Sequence, residues 1–282
     1  MNTNRLFRTA AIWLGMMSFA SSAAFGQKPS AENYTPEELQ QHFANVAKKY
    51  EITAGGDKLR LESQPLMNWQ NPARKREQGA LFVWLKHGQP QVLASIFTYG
   101  GERGTVCRHE MISLSESPLE SKLDGVGVWA PKRRGVEWKP VTPEIPPAKT
   151  NPRRLVQMRT IARTFEGKLL PPGDQTSKLT LIPQPVVRYE SVAEGVVDGA
   201  IFSLAVATDP ELFLLIEAKR KADGSVSWHY AAVRSHFWAL ELSRGGEVVW
   251  QTEAVPELLM TNAADTPWMN NPYFIFFESQ AL

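Results

Sequence analysis

Five histidines carry much of the acid–base chemistry open to this chain: His42, His87, His109, His229 and His236. Two of them stand 120 residues apart at the ends of like strings, "GTVCRH" closing on His109 and "GSVSWH" on His229. Glu110 follows the first and Tyr230 the second. An imidazole with a carboxylate in reach is the pairing of a general base and its orienting group, so the two positions mark a candidate symmetric pocket. Trp69 and Tyr189 meet in the same register and offer aromatic faces to a ligand. These four residues, His109, His229, Trp69 and Tyr189, are the candidate binding residues. No catalytic residue is assigned, because strand neighbours point to opposite faces and Glu110 would diverge from His109.

Other chemistries are excluded by counting. Cys107 is the single cysteine, so no CxxC pair and no internal disulfide can form, and "HEMIS" from His109 lacks the second histidine of a zinc helix. Neither GxSxG nor SxxK occurs. "GVGVWA" from Gly125 lacks the third glycine of a dinucleotide loop and any helical pattern after it. "ATDPEL", 207–212, is an acidic turn and a poor calcium loop. No cofactor and no metal are therefore expected. Ser227 stands where Cys107 would recur, which argues that the thiol packs rather than reacts. Eight of the nine tryptophans lie beyond residue 26; most fit a core, and any left exposed would stack on a sugar ring.

The elements that position these residues follow from the pattern. Residues 58–109 and 178–229 align without gaps with 14 identities, among them "GALF" with "GAIF" and Pro90 with Pro210. Glycine, proline and apolar positions dominate, the residues that fix strands and turns. Upstream, Thr35 and Asn151 read as N-caps, each followed by proline at the first helical position. Leu39, Phe43, Val46 and Tyr50 make one apolar stripe, and Leu155, Met158, Ala162 and Phe165 another. Strands are expected near 58–62, 79–85, 91–98, 105–114 and 126–130, and near 179–182, 199–206, 211–219, 226–234, 237–243 and 247–251. Turns fall at Asp223-Gly224 and Gly245-Gly246.

The expected fold class is α+β, a tandem duplication of a helix-plus-antiparallel-meander unit, sheet-dominated. Its divisions are a signal peptide over 1–26, a first unit over 27–138, a proline-rich linker over 139–150, a second unit over 151–256, and a C-terminal extension over 257–282 with an added strand, "YFIFF". Arg5 and Arg8 precede an apolar stretch ending in small residues, the order of a secretory signal with cleavage near Gln27. Those two arginines are the whole excess of 31 basic over 29 acidic side chains, so the chain after them is neutral. A neutral chain argues against a nucleic-acid partner, which needs a concentrated positive face. No later stretch is long and apolar enough to span a membrane.

The strings "GALFVW", "QMRTIARTF", "LIPQPVVRY" and "DGAIFSLAVATDPELFLLIEA" resemble a family of signal-peptide-bearing proteins of planctomycete bacteria whose function is unknown. The resemblance implies export to the cell envelope or beyond, and carries no active site or cofactor. The functional expectation is an exported, non-enzymatic binding or envelope-associated protein whose partner would be an envelope glycan or protein. The alternative is a hydrolase or isomerase with a pocket between helix and curved sheet.

Overall fold

The computed structural model describes residues 34–72, 77–101, 104–173, 175–255 and 270–281. The expected signal peptide, its cleavage point, the basic "ARKR" run at 73–76 and Trp268 lie outside the described residues. In chain order the first elements are α1 (Pro36–Lys48), β1 (Tyr50–Ala54), β2 (Asp57–Lys58), β3 (Arg60–Leu61), β4 (Met67–Asn71), β5 (Glu77–Lys86), β6 (Gln89–Gly101), β7 (Gly104–Ser113), β8 (Leu119–Leu123), β9 (Val126–Trp129) and β10 (Lys139–Pro140). There follow α2 (Asn151–Ala162), β11 (Phe165–Leu170), β12 (Ser177–Lys178), β13 (Thr180–Leu181), β14 (Val187–Ser191), β15 (Val196–Val206), β16 (Asp209–Arg220), β17 (Val226–Arg234), β18 (Ala239–Arg244), β19 (Glu247–Thr252) and β20 (Tyr273–Ala281).

The strands form four antiparallel sheets. Two small outer sheets run β2-β1-β8-β9 and β12-β11-β18-β19, and two inner sheets run β20-β7-β6-β5-β3 and β10-β17-β16-β15-β13. The inner sheets face one another through Leu81, Leu93, Ile112, Ile201, Phe213 and Val233. The far face of the first inner sheet is covered by α1 and its outer sheet, with Phe43, Ile52, Phe82 and Trp129 at the contact. The second inner sheet is covered in the same way by α2 and its outer sheet, through Met158, Leu169, Phe202 and Leu242. Both inner sheets are thus buried on two faces, which is why their strands read as nearly unbroken apolar runs.

The expected α+β class is corrected by this arrangement. Two helices of 13 and 12 residues accompany twenty strands among the described residues, so the protein is mostly β. The meander expected after each helix is replaced by two sheets. Tyr50 and Phe165, read as the last residues of helical stripes, are the first residues of β1 and β11. Each then pairs with a strand some seventy residues on, Tyr50 with Leu123 and Phe165 with Arg244, making the outer sheets. A tandem duplication is not shown; like strand orders describe a fold, not its history.

The helix starts differ from each other, and the second differs from expectation. Thr35 closes a full capping box with Glu38. The second cap is Thr150 rather than Asn151, and its side chain makes no capping bond. The start of α2 is held instead by Arg154, which donates to the carbonyls of Ala148 and Lys149, to Asn151 Oδ1 and to Asp198. The Gly245-Gly246 turn forms as a two-residue hairpin with both φ values positive, 59° and 87°, the requirement of a tight primed turn. Lys139 and Pro140, at the head of the expected linker, pair with Tyr230 and His229 at the sheet edge.

Candidate functional site

The chemistry gathers between the two inner sheets. At one end β4 meets the β15–β16 turn: Gln70 and Thr208 exchange bonds of 3.0 and 2.9 Å, and Asn71 donates to Asp209 at 3.0 Å. Above this junction a cleft of about 160 Å³ opens between the sheets. Its aromatic lining is Trp69, Phe97, Tyr99, Phe237 and Trp238, and its carboxylates are Glu77, Glu110 and Asp209. Trp69 rests on Gly79, is tilted against Phe97 at 5.3 Å, and donates its indole N–H to Ser95 at 3.0 Å. A Cβ on Gly79 would lie 2.5 Å from the Phe97 Cβ and 2.8 Å from the Trp69 ring. Gly79→Ala is therefore expected to cost about 1–3 kcal/mol by overpacking and to push Trp69 into the cleft. Urea unfolding and the indole emission spectrum check the two effects.

Glu110 is 6% exposed and accepts a 2.9 Å bond from the Tyr273 hydroxyl on the neighbouring β20. Behind the cleft, Glu211 is fully buried with its Oε2 3.8 Å from His236 Nε2. His236 Nδ1 accepts the Trp238 backbone N–H at 3.0 Å, so a neutral ring carries its proton on Nε2, toward Glu211. Arg234 fixes this segment by donating to the carbonyls of His236, Phe237 and Trp238. Arg108 lies 3.2 Å from the centroid of the Tyr99 ring, stacked on it as a cation. Burial lowers the Arg108 pKa, and nearby Tyr99, Glu110 and Glu77 oppose that shift.

The other end of the inner layer carries a further buried carboxylate. Glu217 accepts from Tyr189 at 2.6 Å and from Gln89 at 3.1 Å, with Lys219 Nζ 3.1 Å away. Burial first, then Glu217, raises the Tyr189 pKa well above its ordinary value, and burial and Glu110 do the same for Tyr273. Both phenols stay protonated in the folded chain where an unfolded chain ionises, above about pH 10. The stability they contribute is complete below that pH and falls as pH rises toward the folded pKa. Unfolding in urea at pH 9 and pH 11 should show a loss that a Tyr189→Phe/Tyr273→Phe variant reduces.

Of the four residues singled out by sequence, only Trp69 lines the aromatic cleft. Tyr189 sits at the opposite end, where β14 meets the β5–β6 turn through the bond from Ser191 to the His87 carbonyl. The histidines do not share a pocket. Ile96 pairs with His109 but Ile216 pairs with Tyr230, a slip of one residue that exchanges the faces of a strand. His109 therefore points into the core beneath α1, fully buried, with its Nδ1 2.7 Å from Tyr50 Oη. His229 is half-buried on the opposite, inner face, near Glu217.

The residues that do gather were legible only as acids inside apolar strands. In "DPELFLLIEAK" Glu211 and Glu217 share a strand face with Phe213 and Leu215, the mark of carboxylates meant for an interior. No group of three or more metal-ligating side chains that could hold an ion occurs among the described residues. No family model, no curated protein and no solved structure matches the chain. Among the described residues no helix is long and apolar enough to cross a membrane.

Proposed function

We propose that this protein is an exported, non-enzymatic binding protein whose inner cleft takes a small ligand bearing a cationic ammonium or guanidinium group. The observation that supports this is the lining itself: five aromatic side chains with three carboxylates and one arginine in about 160 Å³. Aromatic faces attract cations through their quadrupole, and partly desolvated carboxylates strengthen that attraction. Arg108 on Tyr99 is an internal example of the group the cleft favours. Export rests on the amino-terminal pattern, and protein recovered from the exported fraction should begin near Gln27.

Calorimetric titration of the folded protein with agmatine, choline and N-acetylglucosamine separates a cation site from a glycan site. Agmatine and choline should saturate one site per chain, and the neutral sugar should bind at least tenfold more weakly. A sugar that binds as tightly as agmatine overturns the reading. An acid–base hydrolase or isomerase is the second reading, favoured by Glu110 and His236 lining one cleft. It predicts that bound ligand is converted over hours, and that His236→Gln binds without converting it.

A further inference from the structure

A second, larger cleft of about 370 Å³ is lined by Arg234, the residue that grips the segment bordering the first. Its charged groups are Arg133 and Arg134 from the β9–β10 connection and Arg234 from the end of β17, against the single carboxylate of Glu253. The remaining wall is largely apolar, with Ile112, Val233, Trp250 and Pro272. This balance is the reverse of the aromatic cleft, where carboxylates outnumber the arginine.

Arg234 is the fixed element. Its Nε donates to the His236 carbonyl at 2.8 Å, its Nη2 to those of Phe237 and Trp238 at 3.2 and 2.6 Å, and its Nη1 to Thr252 Oγ1 at 3.3 Å. A guanidinium has five N–H groups. Those four bonds leave one on Nη1, and no carboxylate lies in salt-bridge contact with this side chain among the described residues. The Arg234 ring-stacking contact with Tyr273, 5.1 Å to the centroid, holds the group in place. Arg133 is oriented at the rim by a bond to Asn271 Oδ1. Arg134 is exposed and has no partner among the described residues.

We propose that this cleft binds a small organic oxyanion, a carboxylate or phosphate carried on an apolar body. The oxyanion is received by Arg133, Arg134 and the remaining N–H of Arg234, and the body lies against Trp250 and Ile112. Planar guanidinium forks match paired acceptor oxygens in a way a lysine does not, and the volume falls within the usual range of small-molecule sites, roughly 300–1,000 Å³. The inference is independent of the cation reading of the other cleft, because the two ligands carry opposite charge.

The test is calorimetric titration of the full chain, at low salt, with phenyl phosphate, phenylacetate and the neutral benzyl alcohol. At least one of the two anions should bind one per chain, at least tenfold tighter than benzyl alcohol, and the stronger of them identifies the oxyanion. Arg133→Ala/Arg134→Ala should keep the melting temperature of the parent and lose that affinity at least tenfold. Arg153→Ala/Arg163→Ala, which removes two exposed arginines of the α2 region, should leave it unchanged. Benzyl alcohol binding as tightly as both anions, an unaltered Arg133→Ala/Arg134→Ala affinity, or equal losses in the two double variants would each overturn the proposal.

Discussion

Asp198→Ala is expected to destabilise the protein by about 3–5 kcal/mol, the usual consequence of removing one partner from a buried ion pair. Asp198 is 3% exposed on β15 and holds two arginines at once. Arg154 Nε lies 2.7 Å from its Oδ2, while Arg188 reaches Oδ1 with Nε at 2.9 Å and Oδ2 with Nη2 at 2.6 Å. The bond to Asp198 is the main cause of the raised Arg188 pKa. Arg188 is half-exposed and can turn to water, but Arg154 is 7% exposed and cannot. Alanine would leave its charge in the interface between α2 and the inner sheet. At about 2–4 °C per kcal/mol for a chain of this size, the melting temperature should fall by about 6–20 °C. Arg154→Leu/Asp198→Leu should cost less than Asp198→Ala alone, since it removes the buried charge with its partner. A fall under 2 °C for Asp198→Ala would show that the pair does not anchor α2.

Glu110→Gln is expected to weaken agmatine binding by about 30- to 150-fold, equivalent to about 2–3 kcal/mol for loss of a desolvated ionic contact. The substitution is nearly isosteric. A glutamine carbonyl still accepts the Tyr273 hydroxyl, now donating to Glu110 at 2.9 Å, so stability should move far less than affinity. The contrast is the informative part, since a structural carboxylate would show the opposite balance. Parallel calorimetry and thermal unfolding of the one variant give both numbers.

How much of this was legible in the sequence depended on which physical signal each residue carried. The Gly79 and Gly199 strings, the Thr35 cap and the Gly245-Gly246 turn are local signals, and the structure contains strands, a capping box and a hairpin at those places. The outer sheets were not legible. Pairing of Tyr50 with Leu123, or of Phe165 with Arg244, is a contact across more than seventy residues, and five- or six-residue strands directly after a helix continue its apolar pattern by chance. The histidine register failed for a similar reason. The two strings keep the same spacing, but β17 pairs with β16 one residue out of the β6–β7 register, which turns His229 to the other face. Trp69 was found as an aromatic in a conspicuous register; Glu110, Asp209 and His236 came together only when two sheets faced each other.

The most direct test of the account is a crystal structure of the protein soaked in agmatine. The predicted result is ligand density between the Trp69 and Trp238 rings, with a nitrogen within 3.5 Å of a Glu110 or Asp209 carboxylate oxygen. Density confined to other surfaces, or an empty cleft at saturating ligand, would contradict it.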